Sequence, residues 1–291
     1  MLNLEDRLKN KKFLVYGFGR TGKSCFNYLK KNNKIFIFDD NKKNISNRLL
    51  KTQFIEKSKI NNKNFDFIII SPGIDINKSS LKIYLKKYKD KIITDLDIFY
   101  LQNLPNLKIT ITGTNGKSTT AKLLFDILKK HKKDVRLLGN IGKPILSEKK
   151  ITYKSIIVIE ASSYQIEYSK FFKTDHAMIL NISPDHLERH GTIQNYVHAK
   201  FKLILKQNYK DYAYIDLSNK YLRKEVKKFN PNSKIINIQT NNLKNIKKFI
   251  KNPYFTNLNN LKNLLFIMAF GKIFKLDSKK IFYAVNNFKA L

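Results

Sequence analysis

The sequence predicts an α/β protein with an N-terminal Rossmann-like domain followed by a central P-loop ATPase-type parallel-sheet domain. Three observations predict it. Short apolar runs alternate with amphipathic stretches along most of the chain. Two of these runs end in a glycine turn that opens a helical pattern: Gly17-Phe18-Gly19-Arg20-Thr21-Gly22 after residues 12–16, and Gly113-Thr114-Asn115-Gly116-Lys117-Ser118-Thr119 after residues 108–112. Polar residues then recur immediately after each later apolar run, as in a site built along one sheet edge.

Residues 12–16 read as a buried strand, with a helix through Leu29 and a second strand from Ile35 to Phe38 that ends at Asp39-Asp40. This is a βαβ opening with a G-x-G-x-x-G turn and an acid after its second strand. Alone, it suits NAD as readily as any other nucleotide. A third strand, Phe65 to Ile70, ends in the sharp turn Ser71-Pro72-Gly73-Ile74. From Lys91 to Pro105 the pattern loosens, which sets the expected domain boundary near Ile93, dividing residues 1–93 from 94–291.

The second domain opens with a β-branched run, a glycine-framed loop and a helix. Successive backbone N–H groups and the helix dipole there point at one spot, which makes an anion site. Gly113 and Gly116 let the backbone approach phosphate oxygens. Lys117 offers a mobile charge for the β- and γ-phosphates, and Ser118 a hydroxyl for Mg²⁺. Ile111 stands where the generic nucleotide loop has a glycine, so this shorter loop points to a subgroup of ATP users.

Further strands run from Val135 to Leu138, Ser155 to Ile159 and Ala177 to Ile182. They end at Gly139-Asn140-Ile141-Gly142, Glu160-Ala161-Ser162-Ser163 and Ser183-Pro184-Asp185-His186. Glu160 reads either as an acid beside a nucleotide-bound Mg²⁺ or as a helix N-terminal acid; Ser118 upstream favours the metal role.

On the helix expected from Thr192 to Gln207, Ile193, Val197, Phe201 and Ile204 share one stripe with Lys200 at its centre. Such a lysine either snorkels or does chemistry. Burial lowers its pKa, and a neutral amine can take up CO₂ as a carbamate, an oxygen ligand for a hard metal. Asp185-His186 just upstream moves the balance toward function. His186 and His190 have the spacing of a zinc pair only on a helix, which Pro184 and Gly191 oppose. His131, His176 and His198 are expected to be structural or surface residues. Strands from Tyr212 to Ile215 and Lys234 to Ile238, then a helix from Asn259 to Phe270, complete the pattern.

At 291 residues and 42% hydrophobic content the chain has ample material for a core. Its formal charge of +35 comes from lysines spread along the whole length among many Asn and Ile, all AT-rich codons. Without an Arg-rich cluster interleaved with aromatics, no nucleic-acid partner is expected. Cys25 is the only cysteine, so no intrachain disulfide can form, and a small buried side chain in a reducing compartment fits it. The N-terminus has no signal-peptide pattern. The longest apolar run, Leu264 to Phe270, is too short to span a bilayer, so a cytoplasmic protein is expected.

Together these residues resemble the Mur ligases, the ATP-dependent amide-forming enzymes of peptidoglycan assembly. The carriers are Gly17 to Ser24, Ser71 to Ile74, Gly113 to Thr119, Gly139 to Gly142, Glu160 to Gln165, Asn181 to His186 and Tyr196 to Lys200. The early glycine turn followed by Ser-Pro-Gly-Ile favours the D-glutamate-adding branch. The resemblance implies that UDP-N-acetylmuramoyl-L-alanine, ATP and D-glutamate are the ligands, on a monomer. Gly19, Arg20, Thr21, Asp39 (near the uracil), Ser71, Pro72, Gly73, Asn140 and His186 would then bind the sugar nucleotide. Gly113, Thr114, Asn115, Gly116, Lys117, Ser118, Thr119 and Asn263 would bind ATP. Ser118 and Glu160 would serve one Mg²⁺, and His186 with a carbamylated Lys200 a second; Lys117, Lys200 and His186 would be catalytic. Asn259-Asn260 stands where the family usually has a histidine before the asparagine. The chain also stops at Leu291, before a Pro-His-Arg motif and a third domain, so the expectation is that it binds sugar nucleotide without completing amide synthesis. Two rivals stay open: a folylpolyglutamate-type ligase, which should lack the early glycine turn, and a non-catalytic nucleotide-binding module.

Overall fold

A computed structural model describes residues 4–41, 53–102, 104–240 and 243–290. Met1 to Asn3, part of the segment without a signal-peptide pattern, lie outside them, as does Leu291. The chain divides into two compact units. The first comprises Met1–Leu104, Pro144–Lys149 and Tyr164–Phe172, and thus runs past Ile93; the second comprises Pro105–Lys143, Lys150–Ser163 and Lys173–Leu291.

The first unit holds a four-stranded sheet in the order β2-β1-β3-β4, with β1 at Lys12–Tyr16, β2 at Lys34–Phe38, β3 at Phe67–Ile70 and β4 at Ile92–Ile93. Every pairing is parallel. Consecutive residues of β1 and β3 are buried, which explains why these runs read as continuously apolar rather than alternating. The stretch whose sequence pattern is loose forms a helix, Asp95–Leu101, started by a capping box between Thr94 and Asp97. Its period is hard to read because Asp95 and Asp97 face inward and are buried. Asp97 is satisfied there: its Oδ1 accepts the N–H groups of Phe171 and Phe172 at 2.7 and 2.9 Å and the Ser169 hydroxyl at 2.8 Å. Those bonds tie residues 169–172 into the first unit.

The second unit holds a six-stranded, wholly parallel sheet in the order β10-β9-β8-β5-β7-β6. Its strands are β5 (Lys108–Thr112), β6 (Val135–Gly139), β7 (Ile156–Glu160), β8 (His176–Ile179), β9 (Tyr212–Ile215) and β10 (Lys234–Asn237). Ile109, Ile111 and Val158 pack with Leu124 and Leu128 of helix Lys117–Lys130 and with Leu264, Ile267 and Phe270 of helix Leu258–Ile273. From β5 the chain goes out to β6, returns to β7 and then crosses β5 to reach β8. The loops after β5 and β8 therefore diverge from a switch point, where open parallel sheets bind ligands. In the first unit β1 lies between β2 and β3, and the loops after β1 and β3 stand in the same relation. Among the described residues no helix is long and apolar enough to cross a membrane.

Candidate functional site

In the first unit the glycine turn is built by three different constraints. Gly17 has φ +88°, and a Cβ there would come within 2.8 Å of the Ser71 Cβ. The Ser71 hydroxyl donates to the Gly17 carbonyl at 2.7 Å, joining the loops after β1 and β3. A Cβ on Gly22 would lie 2.0 Å from the same carbonyl, so the helix Arg20–Leu29 can approach β1 only with glycine there. At Gly19 a Cβ would meet nothing within 4 Å, which leaves that backbone open to a ligand. Asp39 turns toward this loop, accepting the Phe18 N–H at 2.6 Å, while its other oxygen accepts the Asn41 N–H at 2.8 Å. Arg20 and Gly73 are exposed beside it, and Thr21 and Pro72 are half-buried. Asp40 accepts from the Tyr16 hydroxyl and from Ser80.

In the second unit, Gly116 caps helix Lys117–Lys130 in a left-handed conformation, φ +79°. A Cβ there would fall 1.9 Å from the Asn263 amide nitrogen, so the buried Asn263 packs directly on the loop. Thr114 turns inward: its N–H donates to the Asn181 carbonyl at 3.0 Å, and its hydroxyl accepts the Ser183 N–H and lies 3.1 Å from the Tyr196 hydroxyl. The Asn115 N–H donates to the Asn181 side-chain oxygen at 2.8 Å. Lys117 folds back, donating its amine to the Thr114 carbonyl at 2.8 Å. The Thr119 hydroxyl pairs with that of Tyr254 at 2.9 Å. The N–H groups of Lys117, Ser118 and Thr119 belong to the first helical turn, where no intrahelical acceptor exists, and they form an anion cradle.

Glu160 is the last residue of β7, and the next helix begins only at Ser163, which removes the reading as an acid in a helix's first turn. It is 3% exposed, and its Oε2 has no hydrogen-bond partner. Burial raises its carboxyl pKa, opposed by a hydrogen bond from Ser118 and by the charge of Lys117. An unpartnered carboxylate oxygen beside Ser118 fits a magnesium ion on a nucleotide. Gly139, φ +108°, wraps around it: a Cβ there would sit 2.2 Å from the Glu160 carbonyl, which accepts the N–H of the exposed Asn140 at 3.1 Å.

Lys200, on helix Ile193–Leu205, is 2% exposed. Its amine donates to the Gly113 carbonyl at 2.9 Å and lies 4.6 Å from the centre of the Tyr196 ring. Burial and then the charge of Lys117 push its pKa down to about 7, with Asp185 opposing. His186 has φ +53° and a half-exposed ring 3.4 Å from the Asp185 carboxylate. Contrary to the expectation drawn from Pro184 and Gly191, residues Leu187–His190 do form a single helical turn. It does not make a zinc pair. His190 is buried with its Nε2 3.0 Å from the Ser163 hydroxyl, and burial lowers its pKa to about 4. Among the described residues no group of three or more His, Cys, Asp or Glu is arranged to hold a metal ion unaided. His176 is structural, stacked on Tyr212 and bonded to the Tyr214 hydroxyl at 2.9 Å.

Two residues to which sequence reasoning gave no role stand at the centre of this site. Tyr196, one helical turn before Lys200, has its ring near both His186 and His190. Asn181 closes the loop from the end of the neighbouring strand. Beside them lies a cavity of about 250 Å³ lined by Asn181, Asp216, Thr240, Lys262, Asn263 and Phe266, among others.

Residues 111–278 match the family described as Mur ligase middle domain, and residues 11–92 match Mur ligase MurD-like, N-terminal domain. The UDP-N-acetylmuramoylalanine--D-glutamate ligase of Rickettsia bellii is 32% identical over 300 residues, 95% of this chain and 66% of that protein. The protein of the same name from Elusimicrobium minutum is 34% identical, covering 98% of this chain and 68% of the relative. The chain thus spans about two thirds of the length of these curated relatives. The crystal structure of UDP-N-acetylmuramate:L-alanyl-gamma-D-glutamyl-meso-diaminopimelate ligase from Neisseria meningitides superposes with a TM-score of 0.61 at 13% identity, covering 97% of this chain and 99% of that one. At that identity the likeness concerns the fold alone.

Proposed function

The chain belongs to the Mur ligase family, and from that premise we propose that it serves the ATP-dependent addition of D-glutamate to UDP-N-acetylmuramoyl-L-alanine in cytoplasmic peptidoglycan synthesis. In this reaction the substrate's terminal carboxylate oxygen attacks the γ-phosphorus of ATP, ADP leaves, and an acyl phosphate results. The amine of D-glutamate then attacks the acyl carbon and expels phosphate.

The observation that carries this reading is Glu160, whose buried, unpartnered oxygen lies at the phosphate loop within reach of both Ser118 and Lys117. Ser118 and Glu160 fit one Mg²⁺. His186 and Lys200 are the candidates for a second, with Lys200 as its carbamate. Metal bound there would neutralise charge on the transferring phosphoryl group. Lys117 and the N–H groups of residues 116–119 would meet the phosphate oxygens, the electrostatic part of the problem. The cavity walled by Asn263 suits the nucleoside of ATP. Gly19, Arg20 and Thr21 would face the UDP pyrophosphate, with Asp39, Ser71, Pro72 and Gly73 around it; Asn140 and His186 are further candidates for sugar-nucleotide contacts. The open backbone at Gly19 supports that reading. Calorimetric titration with UDP-N-acetylmuramoyl-L-alanine and with NAD tests the proposal: the sugar nucleotide should bind more tightly, and tighter binding of NAD would overturn it.

A further inference from the structure

We propose that Asn181 is a positioning residue for the nucleotide, fixing the peptide of Asn115 so that the phosphate-binding donors begin at Gly116. The proposal rests on the reading above only in taking residues 113–119 as a phosphate loop. Leu180 donates its N–H to the Thr112 carbonyl at 3.0 Å, continuing the β5–β8 ladder, so the backbone that carries Asn181 is held by the sheet. From there its side-chain amide pairs reciprocally with one peptide: its oxygen accepts the Asn115 N–H at 2.8 Å, and its nitrogen donates to the Asn115 carbonyl at 2.9 Å. Its own carbonyl accepts the Thr114 N–H at 3.0 Å. Two N–H groups that the loop would otherwise aim at an anion are therefore committed within the protein.

The pairing also sets direction. Between the held Asn115 and the packed Asn263, Gly116 turns left-handed at φ +79°, and the helix Lys117–Lys130 starts from it. The side-chain pair with Asn115 lies open to solvent. Water can replace such bonds at little cost to folding, so their effect is on loop geometry rather than on stability. A loop already shaped before ATP arrives loses less freedom on binding it.

The test has two arms on the whole 291-residue chain. In ¹⁵N NMR of wild type titrated with Mg²⁺–ADP, the amides of Gly116 to Thr119 should shift strongly, while those of Thr114 and Asn115 should change little. In calorimetry, Asn181→Ala should weaken ATP binding about tenfold or more. Asn181→Asp should weaken it further, since it removes the donor to Asn115 and sets a charge beside the phosphates. Gln207→Ala is the control: Gln207 is buried and donates to the Thr174 and Tyr212 carbonyls, at the start of β8 and β9. That variant should lose melting temperature and keep its ATP affinity, whereas the Asn181 variants should do the reverse. Asn181 variants that bind ATP within twofold of wild type, or an Asn115 amide that behaves as a phosphate donor, would overturn the proposal and leave the loop assignment standing. Absence of any nucleotide binding by wild type would remove the loop assignment and the proposal with it.

Discussion

The Lys200 amine donates to the Gly113 carbonyl across 2.9 Å, joining residues 87 apart in the chain. The bond holds a buried nitrogen against a loop that carries a second lysine, Lys117, whose amine donates to the Thr114 carbonyl at 2.8 Å. Burial first, and then the charge of Lys117, push the pKa of the Lys200 amine down to about 7.

Replacing Lys117 by alanine separates binding from folding. Its amine donates to the Thr114 carbonyl, three residues back on the same loop, and the residue is half-buried, so stability should change by no more than about 0.5 kcal/mol. A charge-assisted bond to phosphate is worth roughly 1.5–3 kcal/mol, so ATP affinity should fall about 10- to 100-fold. Calorimetry and thermal melting on the same sample check both, and unchanged ATP affinity would contradict the role.

The glycine turn of the first unit offers a paired test. Gly22→Ala would drive a Cβ to within 2.0 Å of the Gly17 carbonyl and should lower the melting temperature sharply. Gly19→Ala meets open space at φ −73°, so the fold should tolerate it. On the proposed placement of the UDP pyrophosphate at this turn, the added methyl would obstruct it, and sugar-nucleotide binding should weaken by an order of magnitude or more. A Gly19→Ala protein that binds as wild type would place the ligand elsewhere.

Much of this was legible in the sequence because it is local. The strands Lys34–Phe38, Lys108–Thr112 and Ile156–Glu160 are runs made mostly of β-branched and aromatic side chains, and Gly17, Gly116 and Gly139 mark turns that no other residue makes comfortably. Lys200 was legible for a related reason, since a charge in an apolar stripe departs from helical periodicity. Long-range satisfaction was not legible. The helix Asp95–Leu101 was hidden because Asp97 finds its partners at residues 169–172, which no periodicity announces. Asn181 and Tyr196 stand in stretches that carry the resemblance, but neither shows a role until the fold brings Asn115 and Thr114 to them. Thr114 showed the same limit: the glycine-framed loop suggests a phosphate contact, yet its hydroxyl is spent on Ser183 and Tyr196.

Asp95 should give the fold a measurable pH dependence. Burial raises its carboxyl from the ordinary 3.8 to about 6, with the Gln165 amide pulling the other way. Between those values the folded chain holds a proton that the unfolded chain has released. The contribution is therefore fully favourable below about pH 4 and is lost as pH rises through 6. Asp95→Asn removes the charge, so at pH 7.5 the variant should be more stable than wild type by roughly 2–3 kcal/mol. The gap should close below about pH 4. Urea unfolding of both proteins across this range decides it, and a gap that does not vary with pH would count against burial as the cause.

Carbamylation of Lys200 is the sharpest prediction, because the buried amine changes the chemistry by a large factor. With a pKa near 7, about half of the amine is neutral at neutral pH; for an ordinary lysine the neutral fraction is roughly one in three thousand. Only the neutral form attacks CO₂: its nitrogen bonds to carbon, one proton leaves to solvent, and an anionic oxygen pair replaces a cation. The reverse is favoured where the amine sits on the Gly113 carbonyl and the Tyr196 ring, both of which prefer an ammonium. Carbamate should therefore accumulate when Mg²⁺ and ATP are present and decline as pH falls below about 7. Lys200→Ala should need far more Mg²⁺ to hold ATP, and short carboxylates in the buffer should restore part of the loss. The measurement is ¹³C NMR of the Mg²⁺- and ATP-loaded protein in labelled bicarbonate. A carbamate resonance in wild type that disappears in Lys200→Ala supports the assignment; no resonance in wild type, or the same resonance in both, ends it.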